Sequence, residues 1–331
     1  MVHHRMKHLI SLSLILVVML SLAACGQAGN TMNTSAQTEG AAGNSTTNVS
    51  ANSGTASGGI TVTDARGELQ LDKAPERIVA MDFSFTDMLV SLGVQPVGIA
   101  DDGTPELFMD SVKDKLGDYL SVGSRYEPNI ELISSVQPDL IIVDINKHGA
   151  AIPQLEKIAP LLVLDDFQAD YDQMLKNFNI LATAVGKEQE GSERLAEHEQ
   201  FVQDIKAKLT GKDLTILPAV VNPTGFFGHS DHSYTGSIVK LLGFTDPLQN
   251  EKSYPELTLE NLSELNPQVL FLMPTAEVTI ANEWEKNPLW NSLDAVSSKQ
   301  IYTVERRNWS LSRGLLGSEQ IMADMTANLE K

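Results

Sequence analysis

Five consecutive residues, Gly228-His229-Ser230-Asp231-His232, bring together one hydroxyl, two imidazoles and a carboxylate. Gly-x-Ser opens a nucleophile elbow, and a histidine base beside it would make Ser230 the nucleophile of a surface hydrolase. His232 stands where the closing glycine of that elbow belongs. Imidazole and carboxylate also suit zinc or manganese. No remote histidine and carboxylate set completes a site around His229, Asp231 and His232, although His148 lies in the other half of the chain. The plain alternative is a loop feeding a helix over 234–242, whose free N–H groups the Ser and Asp oxygens accept. Elsewhere Val185-Gly186-Lys187-Glu188 lacks the first glycine and the Ser/Thr of a phosphate-binding loop, and neither G-x-G-x-x-G nor H-E-x-x-H occurs. Catalytic signatures are thin.

The arginines say more. Beyond residue 59 there are only seven: Arg66, Arg77, Arg125, Arg194, Arg306, Arg307 and Arg313. Arg125 follows an expected strand end at Ser121-Val122-Gly123-Ser124, and Arg306, Arg307 and Arg313 surround Trp309 after the last expected strand. In open α/β sheets ligands collect beyond the carboxyl ends of strands. Arginine there offers a planar fork of donors that matches a carboxylate.

Elements able to position these residues are legible. The chain has 331 residues, 42% of them hydrophobic, enough for two domains with real cores. One cysteine excludes an intramolecular disulfide, a cysteine zinc site and an iron–sulfur cluster. A net charge of -19, from 43 acidic against 24 basic residues, argues against nucleic acid as a partner.

Arg5 and Lys7 precede an apolar run over 9–24 that is too short for a comfortable membrane span, so 1–24 reads as a signal peptide. Its end, Leu22-Ala23-Ala24-Cys25-Gly26, resembles the lipobox of bacterial lipoproteins, in which the cysteine becomes the lipidated N-terminus. Residues 26–59 are almost entirely Gly, Ser, Thr, Asn, Ala and Gln with the single charge of Glu39, a flexible tether about 30 Å long as a random coil. Without the leader, 22 basic residues face 43 acidic ones, and such a body stays off anionic lipid.

From Ile60 short β-branched runs alternate with amphipathic stretches, the pattern of an α/β fold. Strands are expected at 77–81, 97–100, 140–143 and 161–164, and helices near 106–115, 130–136 and 150–158. A further helix opens at Ser84-Phe85-Thr86-Asp87 as a capping-box-like start and stops at Gly93. Residues 129–142 laid on 258–271 pair Glu131 with Glu260, Ser134 with Ser263 and Pro138 with Pro267, each copy a short helix, a Pro turn and a buried strand. Leu-Val-Ser-Leu-Gly-Val at 89–94 is echoed at 239–244. Two copies make two similar lobes. The division is 60–168 for the first lobe, 169–210 for a helical connection and 211–331 for the second lobe with its closing helix. Within the connection 188–209 reads as one long helix of about 33 Å, a stiff spine.

Over 68–329 the chain resembles the substrate-binding lipoproteins of iron-siderophore ABC importers, in particular the ferric-citrate branch. The likeness rests on Ala74-Pro75-Glu76-Arg77-Ile78-Val79-Ala80, Phe83-Ser84-Phe85-Thr86-Asp87, Gly98-Ile99-Ala100-Asp101-Asp102, Val122-Gly123-Ser124-Arg125, Gln137-Pro138-Asp139-Leu140, Ile158-Ala159-Pro160, Tyr234-Thr235-Gly236-Ser237, Asn287-Pro288-Leu289-Trp290 and Trp309 with Arg313-Gly314. The resemblance implies two Rossmann-like lobes on a single long backbone helix, the class III substrate-binding architecture, with a shallow cleft and little closure. It implies a monomeric, non-enzymatic receptor without cofactor or metal ligands of its own, because the iron arrives as an Fe(III)-siderophore complex. Arg125 and Arg313 would hold an anionic ferric hydroxycarboxylate, with Arg306 or Arg307 in support. Trp309, Tyr234, His229 and Phe83 would line the cleft. Glu131 and Glu260 match positions that dock on a permease dimer driven by its ATPase, although each also compensates a helix dipole by about 0.3–1 kcal/mol.

Lys147, beside His148, stands where arginine is common, and Asp165-Asp166-Phe167-Gln168 replaces an Arg-containing turn, removing a cation. Citrate, another hydroxycarboxylate and a mixed siderophore all stay open, with haem, cobalamin or a hydroxamate as the second reading. The lipid on Cys25 implies a membrane-anchored protein on the extracellular face, and the long tether suits a Gram-positive cell.

Overall fold

The computed structural model describes residues 59–330; the leader, Cys25 and the tether up to residue 58 lie outside the described residues. The chain enters through an antiparallel hairpin of β1 (Ile60–Asp64) and β2 (Gly67–Leu71), with Ile60 opposite Leu71. The Asp64 carboxylate fastens it, accepting the Arg66 N–H at 2.7 Å and the Val163 N–H of the first sheet at 2.9 Å.

That sheet contains β3 (Ile78–Ala80), β4 (Gly98–Ile99), β5 (Leu120–Ser121), β6 (Leu140–Asp144) and β7 (Leu161–Leu164), in the order β5-β4-β3-β6-β7 with every pair parallel. Its central strands are buried along their whole length, as a parallel sheet covered on both faces requires. The second sheet contains β8 (Ile216–Val221), β9 (Phe226–Gly228), β10 (Glu256–Leu257), β11 (Val269–Pro274) and β12 (Ile301–Thr303), in the order β10-β9-β8-β11-β12. Here β8, β11 and β12 are parallel, whereas β9 pairs antiparallel with both β8 and β10.

The helices that matter below are α1 (Phe83–Ser91), α2 (Ile130–Ser135), α3 (Ile145–His148), α4 (Tyr171–Ala184), α5 (Glu188–Leu209), α6 (Tyr234–Leu241), α7 (Leu259–Leu265) and α8 (Leu315–Leu329). The expected helix over 106–115 is instead a 3-10 turn, Pro105–Leu107, and a short helix, Asp110–Lys113. The one over 150–158 shrinks to Ile152–Leu155, which Pro153 at its first turn can start but whose neighbours stay irregular.

The internal repeat is structural. Asn129 and Thr258 cap α2 and α7 with their side chains. Gln137 (φ 47°) and Asn266 (φ 41°) then turn left-handed immediately before Pro138 and Pro267. The next residue anchors the neighbouring strand: Asp139 accepts the Arg77 N–H at 2.8 Å, and Gln268 accepts the Thr215 N–H at 2.9 Å. β6 and β11 follow, each fourth in its sheet.

One apolar core threads both lobes, taking Ile78, Phe85 and Ile142 from the first, Ile216, Phe271 and Met273 from the second, and the buried faces of α4, α5 and α8. α5, with 22 residues, lies close against α4 because Gly191 has no side chain there. A Cβ would sit 2.7 Å from Ala182.

α1 begins at an Asp82 cap that makes no side-chain capping bond, in place of the expected box. Asp87 is engaged elsewhere: its carboxylate accepts the Leu316 and Gly317 N–H groups at 3.1 and 2.9 Å, so a first-lobe residue caps the closing helix α8. Burial pushes Asp87 up to about 7, although both N–H groups oppose the shift. Arg313-Gly314 thereby gains a cause, because a Cβ at 314 would lie 2.4 Å from Asp87 Oδ1. Gly314→Ala should destabilise the protein by about 1–3 kcal/mol in urea unfolding. An unchanged midpoint and slope would show that the lobes part there without strain.

Candidate functional site

Residues of both lobes line one cavity of about 200 Å³: Arg125, Tyr126, Lys147, Phe167, Val220, Phe227, His229, Tyr254, Arg306, Ser310, Leu311 and Arg313. Arg125 follows β5, Lys147 sits on α3 just after β6, Phe167 follows β7, His229 follows β9 and Arg306 follows β12. Larger hollows, of about 540 Å³ beside Lys212 and Gln268 and about 570 Å³ beside Asp170 and His232, gather no comparable set of cations.

Under the cavity lies Asp82, fully buried at the end of β3. Lys147 Nζ bonds its Oδ2, while Arg125 and Arg313 approach its Oδ1 at 3.7 and 3.8 Å. Burial disfavours the Asp82 charge, but Lys147, Arg313 and Arg125 outweigh it and hold the carboxyl well below the usual range. Arg313 crosses from the second lobe to bond Asp166 at 2.5 Å. Its charge is opposed by burial and secured by Asp166 and Asp82. Asp165-Asp166-Phe167-Gln168 therefore does more than remove a cation: Asp166 fixes Arg313, and Phe167 faces the cavity with Lys147 Nζ 4.9 Å from its ring centre.

Arg125 is gripped by Asp102, which accepts from Nε at 3.0 Å, Nη2 at 2.7 Å and the main-chain N–H at 2.8 Å. His148 is a support and not a lining residue. Its Nδ1 accepts the Asp144 N–H and its Nε2 meets the Arg125 carbonyl, both at 2.8 Å, and burial lowers its pKa, so it is a neutral prop. Phe83 is likewise displaced from the lining: it is buried under Arg125, whose guanidinium carbon is 4.5 Å from the ring centre.

The second-lobe wall is different. Arg306 forms no ion pair among the described residues, its Nε is buried without a hydrogen bond, and burial together with Arg125 lowers its pKa. His229 is buried, its Nδ1 is unpartnered, and burial brings its pKa down to about 3, so the imidazole is neutral. Arg313 Nε is also unpartnered.

Three further candidates fall outside the cavity. The π-helical turn Arg307–Leu311 points Trp309 inward, where it stacks on Phe271 at 4.7 Å and donates to Asp324 at 2.8 Å. The same turn sends Arg307 to the outer surface, where it binds Asp110 of the first lobe at 2.9 Å. Tyr234 is buried and donates to the Gly314 carbonyl at 2.7 Å. Sequence reasoning missed Tyr126, Phe227 and Tyr254; an aromatic one to three residues beyond a candidate cation or strand was the available signal only for Tyr126.

The geometry of 228–232 lends no support to the hydrolase and bare-metal readings. Ser230 is buried and donates to the Lys252 carbonyl at 2.9 Å, while the His232 side chain is 63% exposed and His229 is buried. Among the described residues no group of three or more His, Cys, Asp or Glu is placed to hold a metal ion.

Two α/β lobes on one long helix, with a cation-lined cleft between their strand ends, define a solute-binding protein. The chain belongs to the periplasmic binding protein family, whose profile matches residues 78–307. It is 40% identical over 263 residues to the Fe(3+)-citrate-binding protein YfmC of Bacillus subtilis (strain 168), covering 79% of this chain and 83% of that protein. It is 33% identical over 265 residues to the Fe(3+) dicitrate-binding periplasmic protein FecB of Escherichia coli (strain K12), covering 80% and 88%. Among solved structures, Staphylococcus aureus SirA complexed with staphyloferrin B superposes with a TM-score of 0.71 at 25% identity, over 82% of this chain and 98% of that one.

Asp82→Asn would leave three buried cations short of a partner. Loss of one member of such a network should cost about 3–5 kcal/mol in urea unfolding. A cost below about 1 kcal/mol would mean that the cations reach water or other acceptors unaided.

Proposed function

We propose that the protein captures a ferric hydroxycarboxylate complex, ferric citrate or a close relative, in the interlobe cleft and delivers it to an ABC permease. One observation carries the reading: Arg125, Lys147, Arg306 and Arg313 converge on a single cavity in a chain with a net charge of -19. Guanidinium forks suit the carboxylates of such a chelate, and neutral His229 can donate to a further oxygen. The names of the relatives supply the iron and the chelator class. The protein acts by binding, and its iron is cargo enclosed by the chelator.

In this reading Arg125, Arg306, Arg313, Lys147 and His229 touch the ligand. Arg306→Ala should weaken ferric citrate binding by about tenfold in calorimetric titration while leaving the melting temperature unchanged, because no carboxylate depends on Arg306. Equal affinity for ferrioxamine B or haem and for ferric citrate would favour the second reading, in which apolar contact outweighs charge.

Glu131 and Glu260 sit at matching positions in the first turns of α2 and α7, both exposed, and neither pairs with a cation among the described residues. Two equivalent carboxylates on two pseudo-symmetric lobes suit a two-fold permease dimer with basic docking sites. Glu131→Ala with Glu260→Ala should abolish iron uptake in cells and leave ferric citrate affinity intact; normal uptake would remove the docking role. Acylation at Cys25 would hold the receptor at the outer face of the membrane.

A further inference from the structure

Three carboxylates already serve the cations of the cleft, and they are not alike. Asp82 and Asp166 are sealed, with 0% and 1% exposure, so moving either would strand a charge in the interior. Asp102 is 22% exposed at its side chain. It lies in the loop after β4 in the left-handed region, with φ 59°, and Gly103 beside it has φ 64°. Its Oδ2 alone accepts from both Nε and Nη2 of Arg125 while Oδ1 takes the main-chain N–H, so one oxygen occupies the edge of the guanidinium at which a free carboxylate could bind with two. Apart from that grip the guanidinium has only Nη1, 3.7 Å from Asp82, with Phe83 and Tyr126 near its faces at 4.5 and 5.4 Å.

We infer that Asp102 is a resident carboxylate that occupies Arg125 until a carboxylate of the ligand exchanges with it, which makes Asp102 a specificity-determining residue of the receptor. The inference rests on the ferric hydroxycarboxylate reading above. A ligand carboxylate reaches the same two nitrogens only when Asp102 turns outward, and Asp102 is the one of the three that can do so into water. The exchange moves one negative charge out of the cleft as the ligand brings one in. With Asp102 in place four cations face three carboxylates, so the cleft disfavours chelates of high negative charge unless exchange occurs.

The test is Asp102→Asn, which keeps an oxygen for the Arg125 main-chain N–H and removes the charge. Ferric citrate titrated into the variant should bind about fivefold or more tightly than into the unaltered protein at low ionic strength, and affinity should fall more steeply with added NaCl. In an Arg125→Gln background the same substitution should change neither quantity. A residue that merely positions Arg125 gives the opposite result, weaker binding with an unchanged salt slope, and that outcome overturns the inference. So does an effect that persists in the Arg125→Gln background, which also covers a variant with a lowered melting temperature. If ferric citrate fails to bind the unaltered protein, the receptor reading falls and the inference with it. Binding to the unaltered protein without the gain in Asp102→Asn removes the inference alone.

Discussion

The cleft depends on a carboxylate that does not line it. Arg125, Lys147 and Arg313 come from three separate segments and two lobes, and their mutual repulsion in a poorly hydrated interior would drive them apart. Asp82, fully buried at the end of β3, lies within ion-pair distance of all three. Burial alone would neutralise it, yet the cations keep it charged. Anion and cations are each tolerable only in the presence of the others. The two lobes supply unequal parts: first-lobe cations arrive already neutralised, whereas the second-lobe wall presents Arg306 and His229 with unpartnered nitrogens. Part of the difference follows from the sheets, since an antiparallel β9 stands where the first sheet has the parallel β4, and it carries Phe227 and leads into His229.

Much of this frame was readable from residue types. Buried strands gave themselves away as unbroken β-branched runs, and 188–209 as a helix without interior Pro. The repeat at 129–142 and 258–271 carried its own cause, because a capping side chain, a left-handed turn before Pro and a strand-anchoring amide or carboxylate recur in register. What escaped was short or determined by tertiary contact. β9 and β10 have three and two residues, too few for a period. Asp87 looked like part of a local helix start because its partner N–H groups lie more than two hundred residues away.

Within the site, charge was legible and direction was not. Arg125, Arg306 and Arg313 were found because arginine is scarce in this chain and strand ends collect ligands. Trp309 and Arg307 flank them in sequence, but a five-residue π-helical turn rotates one into the core and the other to the outer surface. Nothing in the spacing announces such a turn. The acidic residues were misread most: Asp166 seemed to subtract a cation from the cleft, and it is the residue that holds Arg313 there.

The lobes are also stitched together around the cleft. Arg313 reaches Asp166, Arg307 reaches Asp110, Asp87 caps α8 and the Tyr171 N–H of the connecting segment meets Ser237 Oγ of α6 at 2.8 Å. Three of these ties join first-lobe to second-lobe residues, so parting the lobes would break two salt links and a helix cap together. Emptying the cavity by separating its walls is therefore mechanical work, done against salt links and a helix cap at once. The same bonds that set the positions of the cleft cations are thus the ones that resist parting the walls, so the geometry of the site and the rigidity of the frame are one property.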